Sequence, residues 1–345
     1  MFLAVMRSLR IAWLLIVAST IPSAPATAKD PLDKELQNLQ WNEGLCLLTV
    51  QDGAVQRLDF ASHKLVDVCR LPQEVCGDPH YSLDWPHQLL AGHANGQLFV
   101  MALQTRTIKW MGSPAPRLGT LSFNHHGDQL AFVGAASDDL EAERRLWTLE
   151  RSTGICKLLY EPNVGSPYSC PQWSADDSQV AIDTVRWLPI EPPHGWLAAL
   201  SWGQDPGTKV SHRDVAIVDV RQCQVVMTIK EAVSPSWGPK HGELTFWNNG
   251  SYYRVAFQAK SHPKLVVDGL GPQALVYSPD GKYGAYIRGW WADFNIKGYT
   301  QAELVVLRLA DGKRVRVYGP YEMQGTNTRQ FTWAHFKLGQ KAVPP

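Results

Sequence analysis

The chain has 345 residues, with 33 Lys and Arg against 32 Asp and Glu. That near-balance provides neither the basic face that nucleic acid requires nor a polybasic membrane patch. Charged residues make up only 19%, while 27 Gly and 23 Pro supply many turns, so the composition fits a turn-rich β protein and not a disordered chain.

Arg7 and Arg10 precede an apolar run from Ile11 to Val17, and small residues follow as far as Ala26-Thr27-Ala28. A basic start, a short apolar centre and a small-residue site describe a secretory signal peptide spanning 1–28. The apolar run falls well short of the roughly 20 residues that cross a bilayer, and no other stretch is long enough. No Cys follows the cleavage site, which argues against lipid attachment. The expected product is a single mature domain, 29–345, periplasmic or secreted, monomeric and not membrane-spanning.

Export permits disulfides. Of the six Cys, Cys69 with Cys76 and Cys156 with Cys170 are near pairs, and each would clip the last strand of one unit to the start of the next. Such a loop contributes about 3 kcal/mol in the chain-entropy view. Cys46 and Cys223 have no near partner and read as small buried thiols. There is no CxxC and no zinc-type Cys-His spacing, so no metal is expected.

One pattern organises the mature chain. Leu275 to Tyr277 reads as a strand, Ser278-Pro279-Asp280-Gly281 as a tight turn, and Tyr283 to Ile287 as a returning strand. Asp-Gly suits the turn because Gly accepts positive φ without steric cost and Asp can bond its own backbone. Seven copies of this pattern recur, each with an aromatic closing its first strand: Trp41, Trp85, Phe123, Trp173, Trp237, Tyr277 and Trp333. Most are followed by a second hairpin, such as Gln97 to Leu103 with Thr107 to Trp110. Four antiparallel strands every forty-odd residues are the signature of a propeller blade. No helix-period segment longer than a turn or two is evident between strands, which argues against a parallel α/β fold. The expected fold is therefore an all-β propeller of four-stranded antiparallel blades. Seven blades are favoured by the seven copies; six would result if the last copy paired into the first blade. The closing aromatics are expected to pack blade against blade.

Ser278-Pro-Asp-Gly-Lys282 followed by Tyr-Gly-Ala-Tyr286 resembles the TolB-type propeller repeat. So does Leu121-Ser-Phe-Asn124 followed by Gln-Leu-Ala-Phe132, Leu146-Trp-Thr-Leu149 and Ser-Thr-Gly154. The resemblance covers nearly all of the mature chain and implies a propeller. TolB itself is a periplasmic protein that binds a peptidoglycan-associated lipoprotein and carries an α/β domain before its propeller. Only residues 29–37 stand in that place here. Related repeats also precede the hydrolase domain of prolyl oligopeptidase-like enzymes, and no such domain is expected here.

In such a blade, the connection from second to third strand emerges on the same face as the link to the next blade. Three of these connections are long: Ala135 to Arg144, Thr184 to Arg213, and Gly289 to Ala302. Two are rich in Trp, with Trp187, Trp196 and Trp202 in blade four and Trp290 and Trp291 in blade six. Broad apolar faces with one N–H donor suit contact with a protein or cell-envelope component. They suit equally a role in capping the end of the propeller. His194, His212 and Asp293 lie in the same connections as further candidates. The charged insert Ser137 to Arg145 reads as a solvated hairpin.

No G-x-S-x-G, H-E-x-x-H, P-loop or EF-hand loop is present, so no cofactor is expected and an enzyme is disfavoured. The alternative is a hydrolase or lyase acting on a glycan or small molecule at the axial mouth. Asp183, Glu191, His194, His212 and Asp293 would then converge there. His125 and His126 sit in a turn; adjacent residues of an extended chain point apart, so a shared metal is not expected. Asn249-Gly-Ser251 matches a glycosylation sequon and equally an ordinary turn.

Overall fold

The best-spelled hairpin shows how a blade begins. Val276–Tyr277 pairs antiparallel with Ala285 and Gly284. Between the strands, Ser278 Oγ donates to Asp280 Oδ1 (2.6 Å) and accepts the Tyr283 N–H (3.0 Å), while Gly281 takes φ +67°. Blade four repeats the device with Ser174, whose Oγ bonds Asp176 Oδ1 at 2.7 Å and accepts the Gln179 N–H at 2.9 Å. In blade three Asn124 Oδ1 takes that role for the Gln129 N–H. Side chains that bond the backbone locally favour turns over continued ladders, which fixes each hairpin's register.

The computed structural model describes residues 30–76, 80–135, 137, 143–161, 166–167, 171–189, 209–238, 240, 242–256, 262–268, 275–290, 299–324 and 331–335. Their strands form six sheets. Blade 1 takes β1 (Leu45–Gln51), β2 (Ala54–Asp59) and β3 (Lys64–Arg70). Blade 2 has β4 (Tyr81–Asp84), β5 (Leu89–Ala94), β6 (Gln97–Ala102) and β7 (Ile108–Met111). Blade 3 has β8 (Arg117–Phe123), β9 (Gln129–Ala135), β10 (Arg144–Glu150) and β11 (Cys156–Tyr160). In blade 4, β12 (Ser166–Pro167) and β13 (Gln172–Trp173) both pair with β14 (Gln179–Pro189), followed by β15 (Lys209–Asp219) and β16 (Gln224–Lys230). Blade 5 has β17 (Val233–Trp237), β18 (Glu243–Asn248), β19 (Ser251–Ala256) and β20 (Lys264–Asp268). Blade 6 has β21 (Val276–Tyr277), β22 (Tyr283–Trp290), β23 (Tyr299–Arg308) and β24 (Arg314–Gln324). The last strand, β25 (Phe331–His335), then pairs antiparallel with β1 and becomes the inner strand of blade 1.

That pairing settles the blade count at six, not seven. The first expected inner strand, Leu39 to Trp41, does not exist as a strand. It lies in a helix, α1 (Pro31–Glu43), which ends at Gly44 with φ +70°. Leu32, Leu36 and Leu39 fall at helical spacing; Leu32 and Leu36 are fully buried and Leu39 packs beside them. Trp41, expected to pack between blades, is 80% exposed. The helix precedes β1; between strands, among the described residues, the one helical segment is the single turn Gln73–Val75.

Six buried clusters, one per seam, close the ring. Blade 1 meets blade 2 through Leu48, Val55, Leu90 and Phe99. Blade 2 meets blade 3 through Leu89, Leu98, Leu130 and Phe132, and blade 3 meets blade 4 through Val133, Leu146, Ile182 and Ala216. Blade 4 joins blade 5 at Ala181, Val215 and Phe246, and blade 5 joins blade 6 at Tyr252, Tyr286 and Val305. The last seam, between blades 6 and 1, also takes in Leu32 and Leu36 of α1.

The closing aromatics bridge these seams, as their spacing suggests, and do so by one recurrent bond. The indole N–H of Trp173 donates to Ser122 O (3.2 Å), that of Trp237 to Gln172 O (2.9 Å), that of Trp333 to Val276 O (3.0 Å) and that of Trp85 to His335 O (3.3 Å). Each acceptor lies on the inner strand of the preceding blade. The Phe123 ring has no N–H to give, and at its seam the backbone N–H of Phe123 donates to Ser82 Oγ (3.0 Å) instead. At the sixth seam the Tyr277 hydroxyl bonds Thr245 Oγ1.

The expected disulfides are not formed. Cys69, Cys76 and Cys156 are free thiols; Cys170 lies outside the described residues. Cys69 Sγ turns toward Arg70 O (3.5 Å) and Cys76 Sγ toward Pro72 O (3.2 Å), so local carbonyls take both groups. Cys46 is fully buried, and burial pushes its thiol up to about 12, which makes it inert as a nucleophile. Cys223 is half-buried, not buried as expected. Among the described residues, no helix is long and apolar enough to cross a membrane.

Candidate functional site

The strands of blades 4 and 6 overshoot the ring at one end. β14 and β15 remain paired from Gln179↔Asp219 as far as Pro189↔Lys209, eleven residues each. In blade 3 the equivalent pair stops at Ala135↔Arg144 after seven. Four additional pairs carry the blade 4 hairpin roughly 13 Å further out. In blade 6, β22 stays paired up to Trp290↔Gln301, and β23 and β24 continue together from Ala302↔Tyr321 to Tyr299↔Gln324. All three long connections leave from second-to-third strand positions, which share one end of the ring, here called the top.

Trp187 and Trp290, expected in loops, therefore belong to strands: Trp187 stands opposite Ser211 and Trp290 opposite Gln301. The ladders are longer than the loop boundaries drawn from turn residues, because paired backbone groups continue past the last apolar core position. Trp196, Trp202, Trp291, His194, Glu191 and Asp293 lie outside the described residues.

Buried carboxylates brace both long hairpins. Asp214 faces Thr184 and Glu303 faces Arg288, equivalent positions four residues beyond the pairs of Trp173 and Tyr277. Asp214 accepts Arg186 Nη2 at 2.8 Å and the Glu231 N–H at 3.0 Å. Glu303 is held from both neighbouring strands, by Arg288 Nη2 at 2.6 Å and Arg316 Nη1 at 3.1 Å. A buried charge persists only when paired and hydrogen-bonded, so these contacts hold the strands in register where the ladder leaves the core.

Two residues of the alternative catalytic set are described, and the structure does not bring them together. Asp183 is buried on the face of blade 4 toward blade 5, and its Oδ1 accepts the Ser234 N–H at 2.7 Å. His212 is exposed on the opposite face, across from Arg186.

At the other end of the ring, the turn of blade 3 does what an extended chain could not. Both imidazoles reach one carboxylate: His125 Nδ1 lies 2.9 Å from Asp177 Oδ1, and His126 Nδ1 lies 2.5 Å from Asp177 Oδ2. The His125 N–H (2.9 Å) and Asn124 Nδ2 (3.1 Å) also donate to Asp177. The expectation that adjacent His residues point apart fails because these two occupy a turn. The next residue, Gly127, has φ +66° and lies so close to Asp84 and His87 that a Cβ would overlap both. His87 Nδ1 in turn bonds Asp84 at 2.8 Å. Turns of blades 2, 3 and 4 are thus linked in series. The sequence signal was available: His-Gly-Asp in one copy faces Asp-Asp-Ser in the next.

The Asp177 bond raises the His126 imidazole above its ordinary value. Burial pushes Asp177 up, but the His125 N–H and the two imidazoles outweigh it and hold the carboxyl below the usual range. His126 therefore contributes fully below its unfolded value, and the contribution fades as pH rises through the raised folded value. Asp177 contributes fully above its unfolded value and loses that on acidification through the lowered folded one. The clasp is strongest between roughly pH 4 and 6.5. Asp177→Asn is expected to lower the urea midpoint most within that window, with a smaller deficit at pH 8. A deficit that is flat from pH 4 to 8 would refute the ionic contribution.

A ring of six antiparallel blades, five of them four-stranded and the fourth with β12 and β13 side by side along its inner edge, closed by pairing the last strand into the first blade, defines a six-bladed β-propeller. Solved structures of similar fold include two TolB proteins. The putative TolB of Agrobacterium tumefaciens matches with TM-score 0.55 at 12% identity, over 85% of this chain and 98% of that one. TolB of Acinetobacter baumannii gives 0.52 at 12% identity, over 84% of this chain and 66% of that one. A chain of a nidogen–laminin complex gives 0.52 at 11% identity, over 84% and 98%. At such identities the likeness shows the fold. No protein-family model matches the sequence, and no curated protein matches it significantly.

Proposed function

We propose that this protein is an exported, non-catalytic propeller that binds a protein or cell-envelope component through the top face. The observation that carries this reading is the asymmetry of the ring. Two blades extend their ladders beyond the core at one end only, each braced by a buried carboxylate–arginine cluster. Structure maintained beyond what the core needs suits a surface that must present side chains in fixed positions. Trp187 and Trp290 stand on those extensions, and Trp196, Trp202 and Trp291 are their sequence neighbours. The basic start, short apolar run and small-residue site of residues 1–28, read as a leader, support export, and the TolB-like fold supports a periplasmic setting. The mature chain acts as a monomer in this reading.

The test is a crosslinked pull-down from the cell envelope with wild type and with Trp187, Trp196, Trp290 and Trp291 all changed to Ala. Partner recovery is expected to fall at least tenfold while the melting temperature moves by no more than a few degrees. Undiminished recovery would place the binding surface elsewhere.

A further inference from the structure

Blades 3 and 4 part at their outer rim. There a groove of about 570 Å³ is lined by Leu158 to Glu161 on one side and Cys223 to Val225 on the other. Its floor is apolar. Leu159 and Tyr160 are buried members of the core between these blades, and Cys223 and Val225 pack against that core. Its walls are the outer strands β11 and β16. Among the described strands, β11 pairs with β10 alone and β16 with β15 alone, so each presents one unpaired backbone edge. Ile155, at the entry to β11, and Val226, on β16, are 64% and 47% exposed.

The two ends of the groove differ in charge. Lys157 reaches across from blade 3, and its Nζ donates to Val220 O at 3.4 Å. Cys223 Sγ lies 3.7 Å from the same carbonyl, which puts the ammonium at the Cys223 end. Arg221, the next residue after that carbonyl, is exposed, as is Lys157. The acid beside them is Asp219, whose Oδ1 already accepts the N–H groups of Arg221 (2.9 Å) and Gln222 (2.7 Å). At the other end Glu161 lies 3.8 Å from Arg145.

We infer that this groove docks an extended peptide segment of a partner, apolar along its length and acidic at the end that faces Lys157 and Arg221. An unpaired strand edge supplies main-chain hydrogen bonds to an extended chain, and an apolar pocket beside it takes alternate side chains. The volume falls in the range of sites that enclose most of a small ligand. Two cations at one end favour an acidic residue there and set the direction in which the segment lies. The inference concerns the outer rim and does not depend on the tryptophan-bearing top face.

The experiment titrates the mature protein into two fluorescein-labelled peptides, Asp-Leu-Ile-Leu-Ser and the same residues in reverse order, read by anisotropy. Saturable binding of one of them is expected. It should weaken at least tenfold when the peptide's Asp is replaced by Asn, and likewise in the double variant Lys157→Glu, Arg221→Glu, whose exposed positions do not put folding at risk. Cys223 reports where the peptide sits. Saturating peptide should slow its alkylation at least fivefold, followed by mass spectrometry. Cys156, whose Sγ turns to Gly112 O on the blade 2 side, serves as the internal reference. Failure of both peptides to bind overturns the inference. So does binding that leaves Cys223 alkylation unchanged, which would place the peptide elsewhere, and so does equal binding by the Asn peptide or by the charge variant. Slower Cys223 alkylation on raising the protein concentration alone also overturns it, since the occupant would then be a second copy of this chain.

Discussion

Trp333→Ala is expected to destabilise the protein by about 4 kcal/mol, in the range for emptying a buried aromatic site. Trp333 is buried in the seam that closes the ring, with the rings of Phe60 and Tyr283 each 6.4 Å away. Its N–H satisfies Val276 O on the neighbouring blade. Truncation removes the packing and orphans that carbonyl together. Trp333→Phe separates the two effects: it retains most of the burial and loses the bond, so about 1 kcal/mol is expected. The position matters because blade 1 is assembled from strands far apart in the chain, β25 on one side and β1 to β3 on the other. Amide exchange at Leu45 to Thr49, which pair with β25, should accelerate in the Ala variant more than exchange in blade 3. Urea unfolding provides the free energies. An Ala variant within about 1 kcal/mol of wild type would mean that the closing seam does not depend on this ring.

The parts of the fold legible in the sequence were those carried by local chemistry. Ser278-Pro-Asp-Gly281 and its weaker copies marked the first hairpin of each blade because turn side chains bond their own backbone. The aromatics that close the inner strands were placed at the seams, and six of the seven bridge them. What local pattern left open, including the choice between seven blades and six, is set by contacts distant in sequence. Pairing of β25 with β1 links residues nearly 290 apart, and no local pattern distinguishes a seventh blade from the closure of the first. The ends of the long hairpins were misdrawn for the same reason. Asp214 and Glu303 look like ordinary strand acids until the arginines beside them are seen. Trp41 misled because an aromatic followed by a polar turn fits the repeat, while Leu32, Leu36 and Leu39 fit a helix and Pro31 suits a helix start.

That conflict provides the second large effect. Leu36→Ala is expected to cost about 3 kcal/mol, whereas Trp41→Ser should stay within roughly 0.5 kcal/mol. Leu36 is fully buried among Phe331, Trp333 and Tyr283, while Trp41 is exposed. The helix holds both sides of the closing seam. Toward blade 1, Gln40 Nε2 donates to Leu58 O (2.7 Å) and its Oε1 accepts the Phe60 N–H (3.0 Å), while Asp33 lies 3.0 Å from His63. Toward blade 6, Glu35 bonds the Tyr283 hydroxyl and Arg308. Leu36 and Trp333 share one cluster, so the double variant should lose less than the sum of the two single losses. A costly Trp41→Ser with a silent Leu36→Ala would restore the inner-strand role that the repeat suggested and remove the helix from the seam. Strict additivity of Leu36→Ala and Trp333→Ala would show that the helix stabilises the chain without bracing the point where the ring closes.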